Sequence, residues 1–529
     1  MAMTCPQTAA RPARTLARRA CAAALCLATA MAPPAWSQVK LPSLGESASD
    51  EITVAAEKRL GEQIMREIRR DPDYLDDPVL LEYLQSIWQP LVAAARERGD
   101  VAPDISASFA WEPFLVRDRS VNAFALPGGY VGVHLALINL TGSADELASV
   151  LAHELSHVTQ RHIARSISTS QRQSLLALAG LIVGVLAASR SNNSDAAQAA
   201  ILGSQAAAAQ GQLNFSRDME READRIGFSV LRQAGFAPSG MARMFEKLDH
   251  ANRLNDNGSY PYLRSHPLTT ERMAEAQARQ GLGPSGPGMP RPEHALMQAR
   301  ARVLMDPTVQ ARARLQELDK ALTSGSQDKL AALYASAFAS LQVRDFARAS
   351  AAYAAGDRLL ATGAVDGRSA RVWTLLGVEL AVAQGDAALA DKRLASLPAD
   401  GSRPRMLLES QVALIAGDAP RLKRQSEVLQ GWVSDHRADA LAWNALSSCA
   451  DRQGQTLRAV RAQAESHAAS GDWNGAIDRL RAGQRLARAG GAQDFIESSV
   501  IDARLRELEG QRRALLDELR AKGPAREPQ

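Results

Sequence analysis

The sequence predicts a mostly helical α+β domain with a small sheet, followed by an all-α domain of tetratricopeptide-like repeats. Three observations carry that expectation. Aromatic residues are only 5% of the chain while alanine is abundant, a balance that suits closely packed helices. Two short runs, at Ile105–Trp111 and Ala123–Leu135, alternate as strands do and lie close together. After residue 370, tryptophan and glycine return at near-regular intervals, as they do in helical repeats. The length of 529 residues calls for more than one domain, and 46% hydrophobic with 23% charged residues suits a water-soluble fold.

The first 37 residues read as a leader rather than as fold. Arg11, Arg14, Arg18 and Arg19 make a basic start with no acidic residue. Ala20–Met31 is an apolar run too short to span a bilayer, and Ala35-Trp36-Ser37 offers small residues for cleavage. Removing the leader takes the formal charge from +4 to zero, so nothing points to nucleic acid as a partner. It also leaves Cys449 alone, which excludes an internal disulfide. Export without a later membrane span implies a bacterial periplasm or an extracellular space.

Helices are expected over Ser49–Arg70 and Asp77–Arg98, the second with Val79, Leu80, Leu84, Ile87 and Leu91 near helical spacing. Pro127-Gly128-Gly129 interrupts the second strand run and marks a tight turn. Ser143-Ala144-Asp145-Glu146 is a capping box that opens a helix to about Arg165. Residues 166–215 hold an apolar run at 175–188 and an alanine-rich run at 196–209. They fit a helical hairpin packed on the core, or else a mobile excursion with peripheral membrane contact at 175–188. The proposed organisation is a leader at 1–37, a first domain at 38–280, a glycine- and proline-rich linker at 281–294, repeats at 295–520 and a tail at 521–529. Within the repeats, Trp373-x-x-Leu376-Gly377 matches a first-helix signature, and Leu407 and Trp443 recur at the equivalent place.

The chemistry is concentrated in His153-Glu154-Leu155-Ser156-His157. On a helix, residues i and i+4 share a face, so both imidazoles can meet one ion. Glu154 on the adjoining flank can take a proton from water that zinc has made more acidic. A catalytic zinc needs a third protein ligand. The histidine spacing used by one large class of such sites is absent, because Ile163 stands ten residues after His153. His162 is off that spacing and is expected on the exposed side. Glu220 and Asp224 share one face of the helix predicted at Ser216–Asp224. Glu220 is therefore the expected third ligand, and Asp224 the carboxylate that orients a ligand histidine. Glu222 should point elsewhere, and His134 should be a packed core histidine.

His-Glu-x-x-His with Ser216-Arg217-x-x-Glu220-x-x-Ala223-Asp224 downstream resembles the M48 peptidases, over roughly residues 50–280. The resemblance implies a zincin-like fold, one zinc per subunit and cleavage of peptide bonds. It implies that Asn122-Ala123-Phe124 is an edge strand binding substrate backbone, although a plain core strand fits the residues equally well. It implies that Ser265-His266-Pro267 brings His266 to the zinc as an inhibitory fourth ligand; spacing alone gives an ordinary turn. Leader, peptidase and repeats together are similar to periplasmic members of the family. That similarity implies quality control of outer-membrane β-barrel proteins, with unfolded or misassembled proteins as substrates and the assembly machinery met through the repeats. The alternative is a chaperone or scaffold whose peptidase activity is minor or suppressed.

Overall fold

The computed structural model describes residues 52–166, 216–254, 260–280, 291–320, 325–363, 365–490 and 495–521. The leader, the core of the linker and the run at 175–188 lie outside the described residues, and so does most of 166–215.

Helix α1 (Val54–Ile68) begins on a Thr53 cap and α2 (Pro78–Glu97) on an Asp77 cap, each accepting a backbone N–H in the first turn. Between them lies the two-residue strand β1 (Tyr74–Leu75). The strand expected at Ile105–Trp111 is instead helix α3 (Pro103–Ser108). Proline at the first helical position and Asp104 in the first turn are helix-start signals, and Ile105 and Phe109 bury one side at i, i+4 spacing. Trp111 then takes a positive φ of 52°, and the chain enters β2 (Glu112–Val116) one residue later.

Strands β3 (Ala123–Leu126) and β4 (Tyr130–His134) form a hairpin across Pro127-Gly128-Gly129. Both glycines have positive φ, 78° and 89°, which favours glycine at the turn. Sheet order is β1-β2-β4-β3, with β2 and β4 parallel and the other neighbours antiparallel, so β3 is an edge. One face of the sheet sends Phe114, Val116, Leu126 and Tyr130 against α1. The other sends Leu115, Ala123, Ala125, Val131 and Val133 into the main core with α2.

Short α4 (Leu135–Leu140) leads to α5 (Ala144–Thr159), whose leucines 147, 151 and 155 are wholly buried. Each such leucine contributes about 1.5–3 kcal/mol of burial. The capping box is half realised. Ser143 Oγ accepts from Glu146 N at 3.3 Å, but the Glu146 carboxylate turns to Gly142 N and Lys247 Nζ, both at 2.6 Å. The helix ends sooner than expected, with Arg161 at φ 52° separating α5 from α6 (His162–Ser166). Then follow α7 (Arg217–Gln233), α8 (Ser239–Leu254), α9 (Pro261–Ser265) and α10 (Thr270–Gln280).

From α11 (His294–Met305) onward the described chain is helical throughout. It runs through α12 (Val309–Gln316) and a 3₁₀ turn to α13 (Ser326–Gln342), α14 (Phe346–Leu360), α15 (Gly367–Ala383) and α16 (Ala387–Leu394). It continues as α17 (Arg403–Ala416), α18 (Ala419–Asp435), α19 (Ala440–Arg452), α20 (Thr456–Ala469), α21 (Trp473–Gly490) and α22 (Phe495–Ala521). Trp373 stacks on Tyr353 at 5.0 Å between ring centroids, each ring seated where the facing helix carries glycine, Gly356 and Gly377.

These helices are tied to the start of α2 by arginines. Arg300 bonds Asp77, Arg403 bonds Asp76, and Arg371 bonds Glu82, so three acids at the start of α2 meet three arginines from later helices. All described residues fall in one compact unit running from Asp50.

Candidate active site

The site is built where α5 and α7 cross. Gly227 allows the approach: a Cβ there would lie 3.0 Å from Ala152 O and 3.1 Å from His153 N. The contact sets the Glu220 and Asp224 face of α7 against the histidine face of α5.

His153, His157, Glu220 and His266 each point one donor atom into a common space, and those atoms lie within 4.8 Å of one another. His153 Nε2 is 3.0 Å from His157 Nε2 and 3.3 Å from His266 Nδ1, and His266 Nδ1 is 2.9 Å from Glu220 Oε1. Ring nitrogens of several histidines converge here with a carboxylate, all shielded from water. Such a set suits a divalent metal, because a cation between the nitrogens uses lone pairs that otherwise face each other. Glu154 is fully buried beside them. One of its oxygens accepts Ala125 N–H from edge strand β3 at 3.0 Å. The other makes no hydrogen bond and sits 3.5 Å from His266 Nε2. A buried carboxylate oxygen held without a partner is reserve capacity for a proton or a ligand.

Burial would lower the His153 pKa, but hydrogen bonds to Asp224 and Glu220 outweigh it and lift it to about 10. His157 goes the other way, held well below its ordinary value by burial and by the charge on His153. Burial pushes the Glu154 carboxyl up. Burial would also raise Glu220 and Asp224, yet their partners keep both below the usual carboxylate range: His266 and His153 for Glu220, Arg272 and His153 for Asp224.

Two supports fix the imidazoles. Asp224 Oδ1 meets His153 Nδ1 at 2.9 Å, which leaves Nε2 facing the donor space. His162 supports His157. It is buried, not exposed as the sequence suggested, because the left-handed turn at Arg161 folds its ring beneath the helix end. His157 Nδ1 is 2.8 Å from His162 Nδ1, and His162 Nε2 is 3.0 Å from Glu222 Oε2. With His157 donating to His162 and His162 donating to Glu222, every proton in the relay has a place. Glu222 thus points away from the donor space, as its position on α7 suggested, but acts on it through His162.

Sequence reasoning also missed Arg272 and Tyr262. Arg272 is buried and bonds both Asp224 oxygens at 2.6 and 2.8 Å, Pro267 O at 2.9 Å, and lies 2.9 Å from Glu220 Oε2. Its arginine stands six residues after His266 on a different helix, and no spacing rule links it to Asp224. Tyr262 is buried with its ring 4.7 Å from that of His266. Of the residues expected to bind substrate backbone, Ala123 and Phe124 lie in β3, and Asn122 precedes it, its carbonyl accepting from His134 N. His134 is buried at the end of β4, its Nδ1 3.2 Å from Ser120 Oγ.

Comparison with known proteins bears on this arrangement. The model for "Peptidase family M48" matches residues 83–280, spanning α2 through α10 and every residue of the donor cluster. Residues 83–280 are a peptidase family M48 domain. The domain is accordingly a metallopeptidase, and the family resemblance read from the motifs holds. Over 471 residues, 89% of this chain and 92% of the relative, the sequence is 28% identical to the beta-barrel assembly-enhancing protease of Escherichia coli. It is 38% identical over 299 residues to the putative beta-barrel assembly-enhancing protease of Vibrio cholerae, covering 55% of this chain and 57% of that one. The mitochondrial metalloendopeptidase OMA1 of Saccharomyces cerevisiae is 28% identical over 195 residues, 36% of this chain and 53% of its own. Among the described residues no helix is long and apolar enough to cross a membrane.

Proposed function

We propose that this chain is a zinc endopeptidase of the periplasm that acts on unfolded or misassembled outer-membrane β-barrel proteins. The observation that carries the reading is the four-donor cluster lying next to Glu154 and beneath an edge strand. The names of the relatives that align along most of the chain supply the substrate class. The leader at 1–37 supplies the compartment, and the helices after residue 294, read as tetratricopeptide-like repeats, supply a surface for the assembly machinery.

His153, His157 and Glu220 would hold the ion, with Asp224 orienting His153. Zinc bound there supplies Lewis acidity toward a carbonyl and makes water easier to deprotonate. The protein does the rest. Outward-facing backbone of β3 holds an extended substrate by main-chain hydrogen bonds, which need no particular side chain. Glu154 takes the proton from water at its unpartnered oxygen and passes it to the leaving amine. His266 would join His153, His157 and Glu220 as a further ligand in the resting enzyme and keep it slow.

A second reading has its own observation. Because His266 sits inside the donor cluster, a chain that mainly chaperones its clients and seldom cuts them is also consistent. Casein hydrolysis separates the two. The first reading expects His266→Ala to cleave faster than wild type with zinc retained, and Glu154→Gln to be inactive. Equal, negligible rates in all three proteins favour the chaperone. Metal analysis is the companion test: Glu220→Gln should lose most bound zinc, and full retention would remove Glu220 from the ligand set. Affinity capture with Glu154→Gln in cells should enrich β-barrel proteins; enrichment of another class would overturn the assigned substrates.

A further inference from the structure

The segment that carries His266 is attached to the edge strand itself. In the β3–β4 hairpin, Asn122 O faces inward and accepts from His134 N. Backbone groups alternate along a strand, so the carbonyl of Val121 faces outward, as do the amides of Ala123 and Ala125. Ala125 N–H is on Glu154, at the reacting end of that row. At the other end, Val121 O accepts Tyr262 N–H at 3.3 Å. One turn later, His266 N–H donates to Tyr262 O at 2.8 Å, closing α9 and fixing His266 over the donor cluster. The Tyr262 ring lies 6.5 Å from His153 and 4.7 Å from His266. Beyond His266 the segment is clamped differently, through Pro267 O on Arg272.

We propose that α9 and the substrate main chain compete for the Val121 end of β3, so that a long extended substrate removes His266 from the metal site. The inference rests on the reading of His266 as an inhibitory ligand and adds what displaces it. A peptide strand laid along β3 would donate to Val121 O in the place of Tyr262 N–H, and the two donors cannot share the same position on the strand. Lifting Tyr262 carries off its hydrogen bond to His266 and its ring, while Pro267 stays on Arg272 as the pivot. Arg272 keeps its hold on Asp224 throughout, so the three remaining ligands are not disturbed.

The geometry sets a length. Val121 lies four residues from Ala125, or about 13 Å at roughly 3.3 Å per residue. A substrate that reaches only Ala125 and Ala123 leaves α9 seated. One that continues about four residues past the scissile bond on the Val121 side unseats it. The enzyme would then select extended polypeptide over short peptides without reading side chains.

The test uses the full zinc-loaded chain and blocked peptides of one cleavage sequence, lengthened in turn on each side of the scissile bond. For wild type, hydrolysis should rise at least tenfold on passing from two to five residues on one side, with no such step on the other. Methylating the peptide nitrogen that would face Val121 should abolish the step. His266→Ala should cut short and long peptides at rates within threefold. The second readout is amide hydrogen exchange at Tyr262 in Glu154→Gln, which should quicken at least tenfold with the long peptide and not with the short one. Unchanged exchange with saturating long peptide overturns the competition, even if His266→Ala proves faster than wild type. If the Tyr262 amide opens but His266→Ala is no faster on any peptide, the competition stands and the inhibitory role of His266 falls.

Discussion

Among the described residues, two buried polar clusters are built on opposite principles: one around Arg300, one around His153. Around Arg300, every charge has its match: Nε and Nη2 lie on Asp77 at 2.7 and 2.8 Å, and Nη1 and Nη2 on Glu379 at 3.1 and 2.7 Å. Nη1 also donates to Tyr334 Oη at 2.9 Å, and none of these atoms is left without a partner. Around His153 the count does not close. Ring nitrogens face one another, and Glu154 Oε1 is buried without a hydrogen bond. A closed network holds two parts of a fold together, whereas an open one is kept at a cost to stability and retained for what it can bind.

Substitutions can break or sharpen that contrast. The largest effect is expected in the open cluster, on chemistry. Glu154→Gln should lower peptide hydrolysis by about 10²–10⁴-fold. Its unfolding midpoint should stay close to that of wild type, since the amide oxygen of the substituted side chain still accepts from Ala125 N–H. A large fall in thermal stability would show that the open cluster is structural after all.

Next comes the closed cluster, on stability. Arg300→Leu leaves Asp77 buried and Glu379 half-buried without their cation, and removing one partner of a buried pair costs about 3–5 kcal/mol. Denaturant unfolding should show the loss, while the turnover of folded protein at low temperature should be near that of wild type. Unchanged stability would mean that water reaches the cluster.

A smaller effect is expected for the residues that aim the ligands. Arg272→Leu and His162→Phe should each weaken zinc binding about 10–100-fold, as measured by competition with a chelator. Glu222→Gln acts only through His162 and should fall below either. If Glu222→Gln exceeds Arg272→Leu, the supports have been ranked wrongly.

Least is expected at the rim of the joint. The Arg371–Glu82 pair is partly exposed, so Arg371→Ala should cost about 1 kcal/mol or less, and less again at high salt. A loss as large as that of Arg300→Leu would extend the closed network to the surface.

Much of this was legible in the chain, wherever a short-range rule applies. His153 and His157 four apart on one helix, Glu220 and Asp224 four apart on another, and a glycine pair between two strand runs are consequences of helical and strand periods. So are the helix starts at Ser143 and Ser216. Where two periods fit one run, the reading failed: Ile105, Ala107 and Phe109 suit a strand, and Pro103 with Asp104 decided for a helix. His162 was misplaced because a single left-handed residue, Arg161, turns the chain back, and nothing in its side chain announces that.

What the sequence by itself determined was the set of local elements and the residue types able to hold a metal and move a proton. Only the tertiary structure decided which of them meet. Arg272 reaches Asp224 across 48 residues, Arg300 reaches Asp77 across 223, and Tyr262 reaches Val121 from another element. Backbone periodicity governs a few residues at a time, whereas such contacts depend on how buried faces pack. The small residue that lets α5 and α7 touch, Gly227, reads in the sequence as no more than a weak point in a helix.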